Sequence, residues 1–462
     1  MAPLVLNMKK GVMFIDLLIR NFESNPTHTA LVWNNQEFSN AQILALFHQR
    51  LEEIDDHKIP QGAVVSIEGD FSPNAVATLL ALIQSKCILV PQNNANDLIT
   101  EERNVIAQTE YRFCFDATDS FIFLKTSNLA NHTLYSAIKE SANPGLILFS
   151  SGSSGTPKAA VHDFTPLLSK YLIPRKSYIT LNFLLFDHWG GLNTLFNTLS
   201  TMGTTVVVRS RTPENVCKLI EKYKVSLLPA TPSFLNMLLI SEVYSHYDLS
   251  SLKLITYGAE PMPESILRKL CTKFPNVKLQ QTYGLIEVGV LSTKSLNNSS
   301  LWVKVGGEGY QTRIIDGLLQ IKSQSTILGY LNAPSPITSD GWFMTGDSVE
   351  IDGDYLKILG RKSELINVGG EKVYPTEVED TILECSNISD VRVYGEKNAF
   401  MGNIVCAAVS TINQEDHALL ESRIKEYCAK KLEKFKVPIK IFVTNSEMHS
   451  NRFKKIRNEL KK

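Results

Sequence analysis

The sequence predicts an α/β protein in which a large N-terminal domain with several sheets is followed by a small C-terminal α/β domain. In the first half, apolar segments of strand length alternate with segments that carry apolar residues at helical spacing. Strands separated by helices pair in parallel through crossover connections. After residue 360 the same mixture recurs on a smaller scale behind a glycine-containing junction, which predicts the second domain.

Length and composition restrict the classes of protein. A chain of 462 residues suffices for one large domain plus a small one. Lys plus Arg and Asp plus Glu both number 47, so no overall charge favours a nucleic acid or a membrane surface as partner. The longest apolar run, 75–89, is interrupted by polar residues and is not expected to span a membrane. Seven scattered cysteines without a Cys-x-x-Cys pair indicate reduced core thiols in a cytoplasmic protein.

The individual elements follow from local patterns. Strands are expected where short apolar runs end at Gly or Pro, and helices where apolar residues recur every three or four positions. The first domain then has helices 41–51, 74–83 and 233–240 and strands 63–67, 87–90, 204–209, 225–230, 252–257 and 277–283. In the C-terminal domain, Pro375 begins a helix over 376–383. Strands 391–394 and 404–409, helix 416–431 and strand 440–443 follow.

The loop at 150–158, Ser-Ser-Gly-Ser-Ser-Gly-Thr-Pro-Lys, lies between two strand-like apolar runs and predicts a hairpin. Small residues let backbone N–H groups approach an anion, and the lysine adds a positive charge. This chemistry suits a polyphosphate, although the spacing is not that of a Walker A loop, and a flexible linker is the simpler alternative. The candidate residues are Ser151, Gly152, Ser153, Ser154, Gly155, Thr156 and Lys158, with Thr156 also a catalytic candidate.

This loop is similar to the phosphate loop of the adenylate-forming, or AMP-binding, superfamily of acyl-CoA synthetases, peptide-synthetase adenylation domains and luciferases. Five further motifs occur in the expected order, so the resemblance covers nearly the whole chain. It implies an N-terminal AMP-binding domain over 1–360, a mobile C-terminal domain over 361–462 and a hinge at 361–363. It also implies ATP and Mg²⁺ as cofactors and a carboxylic acid as substrate.

The resemblance assigns site residues at each motif. It places adenine between two turns that follow strands, Mg²⁺ on a glutamate, and the ribose on an aspartate with an arginine beside it. The adenine candidates are Gly258, Ala259 and Glu260 in the first turn and Tyr283 and Gly284 in the second. The catalytic candidates at these motifs are Glu287, which is also the metal ligand, Lys454, and His188 at the edge of the acid pocket. Asp347 and Arg361 are the candidates for the ribose, and Gly369 and Gly370 those for the thiol tunnel.

Several positions depart from the family pattern. Ile286 stands where the family usually has a threonine whose hydroxyl contacts the α-phosphate. Loss of one such hydrogen-bond donor lowers kcat by a factor of about 10²–10³. Either a neighbouring hydroxyl such as that of Thr282 compensates, or the enzyme is slow. Phe453 replaces the usual glycine before the lysine, Leu318 a common glutamate, and Ser363 the usual Asp or Lys of the hinge. In addition, Lys455 directly follows Lys454 and competes with it for the catalytic role.

The expected function is ATP-dependent formation of an acyl-adenylate with release of pyrophosphate, followed by transfer of the acyl group to coenzyme A. One alternative acceptor is the phosphopantetheine of an acyl carrier protein, because Asp187 lies near the position that binds an amino group in amino-acid adenylation domains. A non-catalytic nucleotide-binding protein is a further alternative. The expected walls of the acid pocket are His188, Gly190, Gly191, Thr231, Gly258 and Gly284. Gly190 and Gly191, which follow His188, are expected to leave room for an acyl group.

Overall fold

A computed structural model describes residues 13–93, 96–150, 156–307, 309–444, 448–450, 453 and 455–456. Within these ranges the α-helices are α1 Phe14–Ser24, α2 Asn40–Asp56, α3 Pro73–Gln84, α4 Asp97–Ile106, α5 Thr133–Ser141, α6 Phe164–Ser169, α7 Trp189–Ser200, α8 Pro213–Tyr223, α9 Pro232–Ser241, α10 Glu264–Lys273, α11 Pro375–Leu383 and α12 His417–Lys431. Short 3₁₀ helices cover Lys170–Leu172, Val243–His246, Lys362–Glu364 and Lys434–Lys436.

The first sheet has seven strands in the order β13-β12-β11-β9-β10-β1-β2. Their bounds are β1 Thr29–Trp33, β2 Gln36–Ser39, β9 Ile179–Asn182, β10 Thr204–Val207, β11 Leu227–Ala230, β12 Leu254–Tyr257 and β13 Lys278–Gln281. All neighbours pair in parallel except β1 with β2, which form a hairpin. The carboxyl ends of the parallel strands therefore lie at one edge of this sheet.

The second sheet also has seven strands, in the order β20-β8-β7-β4-β3-β5-β6. Their bounds are β3 Val64–Glu68, β4 Ile88–Gln92, β5 Tyr111–Phe115, β6 Phe121–Lys125, β7 Gly145–Ser150, β8 Lys158–Asp163 and β20 Gly329–Tyr330. Its centre is parallel, whereas β5 with β6, β7 with β8 and β8 with β20 are antiparallel.

The third sheet is antiparallel, with the order β16-β17-β22-β21-β19-β18. Its strands are β16 Ser292–Ser295, β17 Val303–Gly306, β18 Tyr310–Ile315, β19 Leu318–Ser323, β21 Phe343–Asp352 and β22 Tyr355–Arg361. A two-stranded ribbon, β14 Gly284–Leu285 with β15 Gly289–Val290, precedes it. The sequence did not predict this sheet.

The C-terminal sheet contains β23 Ile366–Val368, β24 Glu371–Val373, β25 Ile388–Asn398, β26 Gly402–Thr411 and β27 Lys440–Val443. Its order is β24-β23-β26-β25, with β27 parallel to β26. The third sheet thus ends at Arg361 and the C-terminal sheet begins at Ile366. The connection includes the predicted hinge, whose position remains a prediction.

Hydrophobic burial holds the two large sheets together. Side chains from α1, α2, α3 and α7 join strand residues of both sheets in one core, for example Leu18, Phe47, Leu79 and Phe196. Burying a side chain of this size stabilises the folded state by about 1.5–3 kcal/mol. The α/β class with a large and a small part is confirmed.

The C-terminal part packs on the first sheet, and its buried side chains join the same core cluster as α9 and α10. Asn236 Nδ2 donates to Ser389 O at 2.9 Å, and Ser265 Oγ donates to Asp380 Oδ1 at 2.7 Å. These contacts connect the two parts in the present orientation.

None of the helices described is long and apolar enough to cross a membrane. All seven cysteines are free thiols, and burial raises the pKa of several of them, including Cys385 to about 11.

Candidate functional site

The predicted phosphate loop lies in the sequence between β7 and β8, which pair antiparallel with Ser150 opposite Lys158. Ser151, Gly152, Ser153, Ser154 and Gly155 lie outside the described residues. On the exit side, Asn332 holds the backbone, because its Nδ2 donates to Pro157 O at 2.8 Å and its Oδ1 accepts from Ala159 N at 3.0 Å. Thr156 is exposed at the start of this stem. The expected hairpin is present.

Tyr330 brings the hairpin next to the predicted metal ligand. Its hydroxyl donates to Glu287 Oε1 at 2.7 Å, and Lys158 Nζ lies 5.7 Å from the centre of its ring. Because β20 pairs with β8, Tyr330 is fixed against the strand that begins with Lys158. The chain therefore places one carboxylate beside the stem of the phosphate loop.

Tyr283, Asp347 and Arg361 form a second polar cluster. The Tyr283 hydroxyl donates to Asp347 Oδ2, and Arg361 Nε lies 3.3 Å from Asp347 Oδ1. Burial raises the pKa of Asp347, and Arg361 opposes that shift. Glu287 adds to the rise, so its charge acts on the same group. Three predicted nucleotide-site residues and the predicted Mg²⁺ ligand are thus brought together.

The pKa of Tyr283 is raised, first by burial and then by the Asp347 charge, so its hydroxyl stays protonated and donates. The pKa of Arg361 is raised because the Asp347 and Glu287 carboxylates outweigh the effect of burial. The guanidinium is therefore a permanent cation, and its side chain is 51% exposed. A half-exposed cation beside a buried carboxylate leaves donors available for an anionic ligand.

The position usually held by threonine is apolar here. The Ile286 side chain packs against the hydrophobic core, and its carbonyl accepts from His162 Nε2 at 2.8 Å. Burial lowers the pKa of His162 to about 4, so the ring is neutral near pH 7. Thr282 Oγ1 donates to Tyr257 O at 3.1 Å, which uses its only proton. The expectation that Thr282 supplies the missing donor is therefore not supported.

A cavity of about 10 Å³ lies at the predicted acid pocket. Its walls are Phe183, Leu184, Leu185, His188, Arg211, Thr231, Ala259 and Phe453. His188 is there as predicted, and it also caps α7, since its Nδ1 accepts from Gly190 N at 3.0 Å. That contact places the proton of the neutral ring on Nε2.

Gly190 and Gly191, which the sequence predicts to leave room for an acyl group, are instead closely surrounded by the protein. A Cβ on Gly191 would lie 2.2 Å from Leu185 O, and one on Gly190 would lie 2.5 Å from Leu184 Cδ1. A Cβ on Gly258 would lie 2.4 Å from Thr282 Oγ1, and one on Gly284 would lie 2.8 Å from Gly289 O. These glycines allow close packing of the chain behind the site.

A larger cavity of about 690 Å³ adjoins the small one. The two share Leu185, Arg211 and Phe453 as walls. The larger cavity also borders the carboxyl ends of β3, β4 and β10 and residues 448–450 of the C-terminal part. It therefore lies between the two parts of the chain.

Asp187 is engaged with other side chains. It is 2% exposed, its Oδ2 lies 3.1 Å from Arg103 Nη1, and its Oδ1 accepts from Asn93 Nδ2 at 3.0 Å. It does not line either cavity described above. An amino group on the substrate would have to compete with an internal arginine, so the amino-acid alternative loses its support.

Lys454 lies outside the described residues, but both of its neighbours are described at the site. Phe453 lines the small cavity, and Lys455 N donates to Glu260 Oε2 at 3.1 Å. The Lys455 side chain turns into the C-terminal part, where Nζ donates to Val391 O at 2.6 Å and lies 3.3 Å from Asp390 Oδ1. Contacts within the C-terminal part therefore hold the side chain of Lys455, the alternative to Lys454, away from the small cavity.

Glu260 has a position that its predicted adenine role does not explain. Its Oε1 accepts from Ser233 N at 2.7 Å, near the start of α9, while Oε2 accepts from Lys455 N. The side chain thus joins the first sheet to the C-terminal segment. Ala259 adopts a left-handed conformation with φ +71° and lines the small cavity.

Gly369 and Gly370 form the exposed turn between β23 and β24, with φ values of +61° and +96°. Gly369 N donates to Met401 O at 2.8 Å within the C-terminal part. The structure does not bring this turn to the other candidates in the present orientation. Their predicted role after domain rotation remains a prediction.

Sequence reasoning missed Tyr330, Asn332 and His162. The spacing of the motifs could not reveal Tyr330 and Asn332, because these residues meet the hairpin across at least 170 positions of chain. Only His162 carried a signal, as a polar residue at the end of the strand-like run 159–162 that follows the loop.

Comparison with known proteins identifies the family. Residues 20–318 match the family described as AMP-binding enzyme, and residues 377–455 match the AMP-binding enzyme C-terminal domain. The chain is 26% identical to the indoleacetate–CoA ligase of Aromatoleum aromaticum, over 87% of this chain and 90% of that protein. It is 27% identical to 4-coumarate:CoA ligase 1 of Petunia hybrida, over 80% of this chain and 76% of that protein.

A solved structure has the same fold. The anthranilate CoA ligase AuaEII in complex with anthranoyl-AMP superposes with a TM-score of 0.82 at 19% identity, covering 96% of this chain and 95% of that one. Together with the two matched domains, this likeness confirms the resemblance to the adenylate-forming superfamily. The chain belongs to the AMP-binding enzyme family and is an AMP-forming acid–thiol ligase.

Proposed function

We propose that this ligase converts an apolar carboxylic acid, ATP and coenzyme A into an acyl-CoA, AMP and pyrophosphate, with the chemistry at the edge where β7, β11, β12 and β13 end. The observation that carries the proposal is the cluster of Tyr283, Asp347 and Arg361 next to Glu287 and the stem of the phosphate loop. A buried carboxylate flanked by a donor and a cation suits a ribose that carries phosphates.

In the first half-reaction, a carboxylate oxygen of the acid attacks the α-phosphate of ATP in line and pyrophosphate leaves. Asp347 accepts from the ribose hydroxyls while Arg361 faces the phosphates. The hairpin residues 151–156 and Lys158 hold the β- and γ-phosphates through backbone N–H groups and one ammonium. The role assigned to Lys454 is to stabilise the charge that develops on the carboxylate and α-phosphate oxygens.

The residues present fit Mg²⁺. Glu287 offers one carboxylate beside the loop, and among the described residues no group of three or more His, Cys, Asp or Glu forms a metal cage. One or two carboxylates plus phosphate oxygens are the usual ligands of Mg²⁺ in nucleotide sites. When bound there, Mg²⁺ supplies positive charge to the phosphates. Tyr330 orients the Glu287 carboxylate by donating to Oε1.

For the second half-reaction, the C-terminal domain over 361–462 rotates about 361–363. Rotation withdraws Lys454 and brings Gly369 and Gly370 toward the acyl-adenylate, where a turn without side chains leaves room for a thiol arm. The exposed position of this turn in the present orientation supports a second orientation for transfer. The acyl carbon then accepts the thiolate and AMP leaves.

The acid is apolar and without a required amino group. The small cavity is lined by Phe183, Leu184 and Leu185, and Asp187 is paired with Arg103. The relatives act on indoleacetate and 4-coumarate according to their names, which supports an aromatic acid. Free thiols at all seven cysteines support a reducing, cytoplasmic location.

Pyrophosphate release with pooled carboxylic acids, each pool run with and without coenzyme A, tests the proposal. We expect turnover with an aromatic-acid pool only when coenzyme A is present, and an acyl-CoA in the product. A single slow equivalent of pyrophosphate that coenzyme A does not accelerate would identify a carrier-protein phosphopantetheine as acceptor. Release with none of the pools would contradict the proposed activity.

A further inference from the structure

Phe453 has the backbone of a glycine. Its φ is +53°, in the left-handed region that a residue with a side chain adopts only at a cost in free energy. It occupies the position before Lys454 where the family usually has glycine. The chain therefore keeps the backbone conformation of a glycine at a residue that carries a benzyl side chain. Favourable contacts of that side chain must offset the free-energy cost of the conformation.

The ring is stabilised by the N-terminal domain. Its centroid lies 5.2 Å from that of Phe183 with the planes at 52°, and 5.9 Å from that of Phe234 in an edge-to-face arrangement. Phe183 is 1% exposed and Phe234 is fully buried. Aromatic pairs in such geometries are favourable beyond the apolar area that they bury. The C-terminal segment thus inserts a phenyl ring between two aromatic residues of the other domain.

The inserted ring occupies the place where the acid is expected. Phe453 is a wall of the small cavity together with His188, Thr231 and Ala259, and that cavity measures about 10 Å³. A cavity of this size holds no more than about one water molecule. An acyl group larger than that does not fit while the ring is in place. Phe453 also lines the larger cavity.

We propose that Phe453 is a specificity-determining residue whose ring fills the acyl site in the substrate-free closed form, and that the substrate is an acid whose apolar group replaces this ring against Phe183 and Phe234. This inference rests on the proposed function of the same site. The acids selected are those with a planar ring of about the size of the benzyl group. Because Phe453 precedes Lys454, displacement of the ring by substrate is coupled to the position of the lysine.

The test measures binding of a sulfamoyladenosine that carries a phenylacetyl group, which imitates an acyl-adenylate, and of sulfamoyladenosine without an acyl group. Isothermal titration compares the wild-type chain, Phe453→Ala and Phe453→Gly. Phe400→Ala is the matched control, since Phe400 is on the same domain and 94% exposed. Thermal melting of each variant confirms that it is folded.

We expect Phe453→Ala to bind the phenylacetyl compound about tenfold more tightly than wild type, because the ligand no longer displaces a ring. Sulfamoyladenosine should bind both proteins equally, and Phe400→Ala should resemble wild type. Phe453→Gly should show the same selective gain, which separates the ring from the backbone conformation.

Unchanged or weaker binding of the phenylacetyl compound to Phe453→Ala would overturn the inference. The ring would then either line the acyl site without being displaced or have no part in that site. Equal shifts for both compounds would also overturn it and give Phe453 a structural role. If neither compound binds the wild-type chain, the proposed function itself fails, and this inference fails with it.

Discussion

Glu260 is predicted to support the adenylation half-reaction through the C-terminal segment. Its two carboxylate oxygens accept from Ser233 N at 2.7 Å and from Lys455 N at 3.1 Å. The second contact fixes the backbone next to Lys454, and it exists only when the C-terminal part is docked as described. Glu260→Gln keeps one acceptor and places an NH₂ group opposite one of the two N–H donors.

The size of the effect follows from these contacts. A hydrogen bond to a charged group contributes about 1.5–3 kcal/mol when buried. Glu260 is only half-buried, so solvent screening reduces this to about 1–2 kcal/mol. Such a loss corresponds to adenylation slowed about 5- to 30-fold. Transfer to the thiol should be unchanged, because the proposed rotation breaks this contact before transfer.

The assay separates the two half-reactions. Pyrophosphate release in single-turnover experiments reports adenylation, and acyl-CoA formation from a supplied acyl-adenylate reports transfer. Glu264→Gln is the matched control, because its side chain is 50% exposed and its nearest cation, Arg268, is 4.0 Å away. Equal slowing of both half-reactions by Glu260→Gln, or no slowing of either, would refute the reasoning.

Three further substitutions test the site. Lys454→Ala should abolish pyrophosphate release yet leave transfer from a supplied acyl-adenylate largely intact, and equal loss of both steps would mean that the lysine is structural. Ile286→Thr should raise the adenylation rate, because the Thr282 proton is engaged with Tyr257 O, whereas an unchanged rate would show that another donor already acts. Glu287→Gln should raise the Mg²⁺ concentration needed for half-maximal adenylation about tenfold or more, measured by Mg²⁺ titration at fixed ATP; an unchanged titration would place the metal elsewhere.

Local patterns were sufficient for the parts of the site that lie at strand ends. The turns at 258–260 and 282–287 follow β12 and β13, whose apolar runs predict strands, and parallel pairing brings the two turns together. The hairpin around the phosphate loop was likewise predictable, because both of its strands flank the loop directly.

Contacts between distant parts of the chain were not predictable. The Tyr283–Asp347 hydrogen bond joins the turn after β13 to the middle of β21 in the third sheet. The two residues are 64 positions apart, so no local pattern relates them. The glycines at 190–191 illustrate the same limit. A sequence indicates that a side chain is absent, but only the fold shows whether a ligand or the backbone of Leu184 and Leu185 fills the space.

Phe453 shows how a departure from a family pattern gains meaning from structure. As a sequence feature it counts against function, since a bulky residue replaces glycine. In the structure it keeps the backbone conformation of glycine and packs its ring against Phe183 and Phe234. Phe453 thus adds a ring to the wall of the small cavity while it keeps the left-handed backbone conformation.

The central claim is that the reaction passes through an acyl-adenylate. Isotope labelling of the carboxylate oxygens of the acid tests it most directly. The first acid that turns over is prepared with ¹⁸O in both carboxylate oxygens, and AMP is analysed by mass spectrometry after reaction with ATP and coenzyme A. Attack of the carboxylate on the α-phosphate predicts one ¹⁸O atom in each AMP formed. AMP without the label would contradict an acyl-adenylate intermediate and with it the proposed mechanism.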